Sequence, residues 1–282
     1  MRSVKFLVAA GAASLLSSAA FAADMPSIMP APQPYYAPPP VEDFGGWYLR
    51  GDIGMTNQRV DSLALTTSPP AGFQSTGMGF DSSMSYDLGV GYRFNNWLRA
   101  DVTGQYRGAA SFHGSQFSTV GALGPGISAV DNYTASKSEW VAMVNGYVDL
   151  GTWWCITPFV GAGVGASRNT ISGFRDDGIF NNGGQAMSST FAATASKWNF
   201  AWALHAGVAY NVTRNVALEL AYSYMNLGDG ITGPTNSFDG VTVVNQSGFT
   251  FKNITSNDVK LGVRWQFDNP ATYAPPPLVT KG

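Results

Sequence analysis

Apolar and polar side chains alternate with a period of two over eight stretches of this chain, the signature of strands with one apolar face rather than of helices. In the stretch from Trp47 to Thr56, Trp47, Leu49, Ile53 and Met55 share one face and Tyr48, Arg50, Asp52 and Thr56 the other. Residues 84–94, 98–106, 140–150, 156–167, 198–211, 216–225 and 258–267 repeat the pattern, the last setting Val259, Leu261, Val263, Trp265 and Phe267 against Lys260, Gly262, Arg264 and Gln266. The intervals alternate in length. Residues 57–82, 107–137, 168–196 and 228–255 are long, whereas Asn95-Asn96, 151–155 and 212–215 are short. Long and short connections in strict alternation predict an up-and-down antiparallel sheet with tight turns on one rim and four loops on the other.

Alternation alone does not say which face is inside, because a soluble, lipocalin-like barrel turns its apolar face inward around a ligand. Two features point the apolar face outward. The polar face is built largely from small residues such as Ser85, Gly89, Gly91, Gly161, Gly163 and Gly207, where a solvated face would carry Lys and Glu. The tryptophans collect at strand ends: Trp47, Trp97, Trp153, Trp154 and Trp265 at the short turns, Trp140 and Trp198 at the long loops. Two aromatic girdles at membrane interfaces follow from that distribution. The predicted fold is therefore all-β, an eight-stranded antiparallel up-and-down transmembrane β-barrel with short periplasmic turns, four long extracellular loops and both termini periplasmic.

Composition narrows the class further. Charged residues are 12% of the 282, against about a quarter in an ordinary soluble domain, and 33 Gly accompany 8 Trp, 12 Tyr and 17 Phe. Beyond the N-terminus no apolar run reaches the roughly 18 residues of a spanning helix, which excludes a polytopic helical protein. A sequence pI near 5.6 without a basic cluster leaves a nucleic-acid partner no electrostatic footprint. Arg2 and Lys5 before an apolar stretch from Phe6 to Leu16, followed by Ala20-Phe21-Ala22, read as a signal peptide over residues 1–22. Seven of the fifteen residues from Pro26 to Pro40 are proline, so residues 23–44 read as an extended periplasmic spacer. Residues 45–267 are the barrel, and 268–282, with Pro270 and Pro275 to Pro277, form a periplasmic tail.

The segments GWYLRGDIG from Gly46, DLGVGYRFNNWLRADVTGQYR from Asp87, TPFVGAGVGAS from Thr157 and GVRWQF from Gly262 resemble the small OmpA-like outer-membrane barrels of alphaproteobacteria, the surface-antigen or porin-family group. The resemblance covers residues 45–267. It implies a location in the bacterial cell outer membrane, with outer-membrane lipid, lipopolysaccharide and the barrel assembly machinery as partners. It also implies an assembly signal at Trp265 and Phe267, placed here before a tail where such barrels usually end. In several similar barrels an Ala-Asp start is joined through its amine to peptidoglycan, which makes Ala23 and Asp24 the candidate attachment point on this spacer. Some relatives bind hemin; here only His113 and Tyr133 offer themselves as ligands.

Candidate chemistry lies on the lumen face. Arg50, Arg93, Arg99, Lys260 and Arg264 balance Asp52, Asp87, Asp101, Asp149 and Glu219, which predicts a ladder of ion pairs plugging a bore just wide enough for side chains. A narrow diffusion pore lined by the same residues is the alternative. The two histidines, His113 in a long loop and His205 facing the lumen, form no nucleophilic or metal-ligating pattern. No catalytic residue, metal or cofactor is assigned, and the chain is read as structural rather than enzymatic. Cys155, the only cysteine, lies in a turn beside Trp153 and Trp154 without a lipobox.

Overall fold

A strand satisfies none of its own backbone hydrogen bonds, so a sheet in lipid must close on itself or leave N–H and C=O groups unpaired. In the computed structural model this sheet closes. The structure describes residues 45–65, 72–118, 124–181 and 184–267, and among them thirteen strands. They are β1 (Gly46–Arg59), β2 (Ser62–Leu65), β3 (Phe73–Phe80), β4 (Ser83–Arg93), β5 (Leu98–Ser118), β6 (Ser128–Asp149) and β7 (Ile156–Asn181). β8 (Gln185–Ala192), β9 (Ala195–Asn211), β10 (Val216–Ile231), β11 (Thr235–Phe238), β12 (Val243–Gln246) and β13 (Phe249–Gln266) complete the set. Eight of them form a ring in the order β1, β4, β5, β6, β7, β9, β10, β13, closed by the β1–β13 pairing that sets Ile53 opposite Leu261 and Trp265 opposite Leu49. All pairings in the ring are antiparallel. The proposed signal peptide, spacer and tail lie outside the described residues.

The short turns are stabilised locally. Asn95 Oδ1 accepts from the backbone N–H groups of Trp97 and Leu98 at 2.9 and 2.7 Å, and Thr213 Oγ1 accepts from those of Asn215 and Val216 at 3.2 and 3.0 Å. These are the side-chain-closed turns that Asn and Thr favour. In the third, Trp154 and Cys155 adopt positive φ, 48° and 68°, and Cys155 is exposed.

At the other rim the structure departs from the expectation of polar loops. β5, β6, β7, β10 and β13 continue far past Tyr106, Trp140, Ser167, Met225 and Asp258, and β2, β3, β8, β11 and β12 extend the sheet beside them. Register shifts interrupt the ladders between Arg107 and Ala110, between Thr134 and Ser136, and from Asn226 to Gly230. A bulge inserts a residue and breaks the period of two, so the alternation read from the sequence stops where the strands do not. The interior of this projecting part is apolar: Phe80, Phe112, Phe251, Ile171, Ile254 and Leu227 are buried there.

Along the outward face the side chains are apolar and exposed, Leu88, Val102, Val144, Phe200 and Leu261 among them. Between Trp140 and Leu150, about 3.3 Å per residue at a tilt of about 40° makes an apolar band about 25 Å tall, the height of a bilayer's hydrocarbon layer. All seven tryptophans of the expected girdles, Trp47, Trp97, Trp140, Trp153, Trp154, Trp198 and Trp265, are exposed on this outward surface.

Candidate functional site

Small residues on the lumen face make room for long ones on the neighbouring strand. Gly91 lies opposite Tyr48, Gly89 opposite Arg50, Gly161 opposite Tyr147, Gly163 opposite Asn145 and Gly262 opposite Asp52. A methyl group added at Gly91 or Gly161 would overlap the facing tyrosine ring. The large polar side chains facing these glycines project into the bore, where they meet partners from their own and from other strands.

In the half near the short turns these side chains form an ion-pair layer. Arg50 Nη2 lies 2.8 Å from Asp52 Oδ2, and its Nη1 lies 3.1 Å from Asp101 Oδ2. Arg99, fully buried, meets Asp149 Oδ1 at 3.1 Å and Glu219 Oε1 at 3.4 Å. Arg264 Nε donates to the same Glu219 oxygen at 2.7 Å, and Lys260 Nζ to Asp87 Oδ2 at 2.7 Å. Tyr147 OH accepts from Arg50 Nη1 at 2.9 Å, Tyr48 OH donates to Asp101 Oδ2 at 3.1 Å, and the Arg99 guanidinium lies 4.4 Å from the Tyr147 ring centre and 4.7 Å from that of Phe159. Of the ten charged residues expected to line the lumen, nine meet in this layer. Arg93 stands apart: at the rim its Nε and Nη2 donate to the Asn95 and Asn96 carbonyls at 3.1 and 3.4 Å, and among the described residues it forms no ion pair. Its strand ends there, so the guanidinium closes the turn instead of crossing the bore.

A second layer sits above the first, and sequence reasoning missed it. Arg107 pairs with Glu139, at 3.5 Å, and with Asp258; Lys137 pairs with Glu139 and donates to Gln58 Oε1 at 2.7 Å. All four charged groups are buried. Arg107, Lys137 and Glu139 fall in stretches whose alternation ends at Tyr106 and resumes at Trp140, so they read as loop; only the inward parity of the strands they belong to could have found them. Above this layer lies an aromatic cluster, with Phe112 and Phe251 ring centres 4.9 Å apart and those of Phe174 and Phe249 4.6 Å apart.

The histidines do different things. His205 Nδ1 lies 2.8 Å from Ser223 Oγ and its Nε2 3.3 Å from Asn145 Oδ1, a serine-histidine-asparagine alignment drawn from β10, β9 and β6. Ser223 is 1% exposed, and a residual cavity of about 20 Å³ lined by Asp87, Gln105, Asn145, His205 and Lys260 is the space of one water. His113 lies on β5 rather than in a loop, facing outward with Nε2 2.9 Å from Asp81 Oδ1. Tyr133 lies opposite Gly114, hence on the inner face, where its buried hydroxyl donates to Gln116 Oε1 at 2.8 Å. His113 and Tyr133 therefore lie on opposite faces of the sheet and cannot converge on one hemin.

A closed ring of eight antiparallel strands, apolar without and charged within, is an outer-membrane β-barrel. Residues 8–267 match the outer membrane protein beta-barrel domain, and the chain belongs to that family, which places it in the bacterial outer membrane. A protein of Brucella abortus is 33% identical over 234 residues, 76% of this chain and 78% of its own. A candidate adhesin of Rickettsia prowazekii is 29% identical over 227 residues, 78% of this chain and 86% of its own. Among solved structures, the outer membrane protein OprG from Pseudomonas aeruginosa is similar at 14% identity and a TM-score of 0.46, over 79% of this chain and 97% of that one.

Proposed function

We propose that this protein is a sealed structural barrel, without catalytic activity, that holds its long-strand rim outside the cell and both termini in the periplasm. The observation that carries this reading is the doubly closed lumen: two buried ion-pair layers beneath an aromatic one, with a cavity of only about 20 Å³ among them. A narrow diffusion pore is the opposing reading. In planar bilayers the folded protein should give little or no steady conductance, and large stable channels from the unmodified chain would favour the pore.

The surface role is display. β5, β6, β7 and β8 project beyond the girdle and carry an exposed cross-strand row of Phe117, Val130, Ile179 and Met187 on their outward face. Adhesion, the role in the name of the Rickettsia relative, fits an exposed row of this kind. Lipopolysaccharide surrounds the barrel in this reading, and the assembly machinery reads Trp265 and Phe267, whose ring centres lie 5.2 Å apart at the end of β13.

The tether belongs to the same proposal. A transpeptidase needs a free amine on a chain long enough to reach the wall, and a proline-rich spacer at about 3.1 Å per residue reaches on the order of 60 Å. Muramidase digestion of washed walls followed by mass spectrometry should recover the Ala23-Asp24-Met25 peptide carrying a muropeptide. Recovery of that peptide only in unmodified form would remove the wall-anchoring role and leave the barrel reading standing.

A further inference from the structure

We propose that Arg168, framed by Trp140 and Trp198 on the outward face, is a binding site for the phosphorylated headgroup of an outer-leaflet glycolipid. The cross-strand pairings set Tyr86, Tyr106, Trp140, Arg168 and Trp198 in one row across β4, β5, β6, β7 and β9. The four aromatic members are between 38% and 64% exposed, and Arg168 is exposed with them. Tryptophan and tyrosine collect at the level where hydrocarbon meets headgroups. One guanidinium inside such a row sits at phosphate height.

The surroundings favour a phosphate over a protein partner. The Arg168 guanidinium forms no ion pair or hydrogen bond among the described residues. Its neighbours on the same face toward the membrane are Ala142, Ala166 and Phe200; toward the outside they are Ser138, Thr170 and Ser196. None carries a carboxylate. The hydroxyls of Thr170 and Ser196, 2.9 Å apart, supply further polar groups just above the guanidinium. Guanidinium and phosphate make short, charge-assisted and often bidentate hydrogen bonds. Beside two indoles that fix the depth of the ring, those bonds select a phosphate attached to an acyl-bearing sugar, because its chains fill the apolar band below.

The site rests on the reading that the long-strand rim is the outer one, so its test is independent of orientation. The full chain is folded into phosphatidylcholine vesicles containing bisphosphorylated lipid A, extracted into detergent and purified, and the retained lipid is quantified by mass spectrometry. The wild type should retain lipid A. Arg168→Gln should lower retention about tenfold, the value of one charge-assisted hydrogen bond, while Arg214→Gln at the short-turn rim should leave it unchanged. Thr170→Asp, which sets a carboxylate beside the intact arginine, should give the same loss with every native cation in place. Equal retention by Arg168→Gln, equal retention of dephosphorylated lipid A, or displacement of lipid A by free inorganic phosphate would each overturn the proposal. Surface proteolysis reads orientation separately, so an inverted barrel is distinguishable from an absent site.

Discussion

Glu219 is the residue on which the lower lumen layer converges. Its carboxylate faces Arg99 and Arg264 through one oxygen and Arg50 through the other at 3.7 Å, and its side chain is 1% exposed. Removing one partner of a buried pair leaves the opposite charge without compensation, at a cost of about 3–5 kcal/mol. Glu219→Ala should therefore lower the unfolding free energy of the barrel folded in vesicles, read from its urea titration, by that order, and unchanged stability would show that the arginines find other partners. Asp176 behaves differently, outside the membrane. Burial first, then the nearby Asp131 and Asp177 carboxylates, push its acid up to about 7. An unfolded carboxyl gives up its proton near 3.8 while the folded one holds it to about 7, so this group's contribution to stability falls as pH rises through that window. Asp176→Asn should flatten the pH dependence of unfolding between those values, and an unaltered profile would assign the dependence to another group.

At the scale of elements, glycine rows and bulges divide the work. The lumen glycines leave space that facing tyrosines, arginines and asparagines occupy, so packing depends on small residues opposite large ones. Gly91→Leu should cost about 1–3 kcal/mol by overpacking against Tyr48 and the Ala100 carbonyl. Gly104→Leu, whose position is open, should be tolerated. Comparable losses in both variants would show that strand entropy rather than lumen packing decides. The bulges mark where the strands pass beyond the apolar membrane band. Beyond them the inner face changes from ion pairs to aromatics, because outside the bilayer the sheet has to bury an apolar core of its own.

For the whole molecule, closure explains why charges can be buried in the bore. Eight strands enclose a bore only wide enough for side chains, and each lumen carboxylate described above meets a cation, from another strand in every case but Asp52, which pairs with Arg50 on its own strand. Protease added to intact cells should cut within 57–82, 107–137, 168–196 or 228–255 and spare Asn95-Asn96 and 212–215; cleavage at those short turns would invert the orientation. The folded barrel should also migrate differently in detergent gels before and after boiling.

Alternation of side chains determined the eight membrane strands, their antiparallel order and the outward apolar face, because each of these is a local property of strands in lipid. Nine of the ten charges expected in the lumen were legible for the same reason, since parity alone places Arg50, Asp101 and Glu219 inward, whereas Arg93 sits where its strand ends and closes the rim turn. What only the tertiary structure decided lies across strands or past the bulges. The pairing of Arg99 with both Asp149 and Glu219, the alignment of His205 with Ser223, the layer of Arg107, Lys137, Glu139 and Asp258, and the row that isolates Arg168 between two tryptophans all depend on register. Register is set by closure of the ring, and a closed ring brings together residues that no spacing along the chain records.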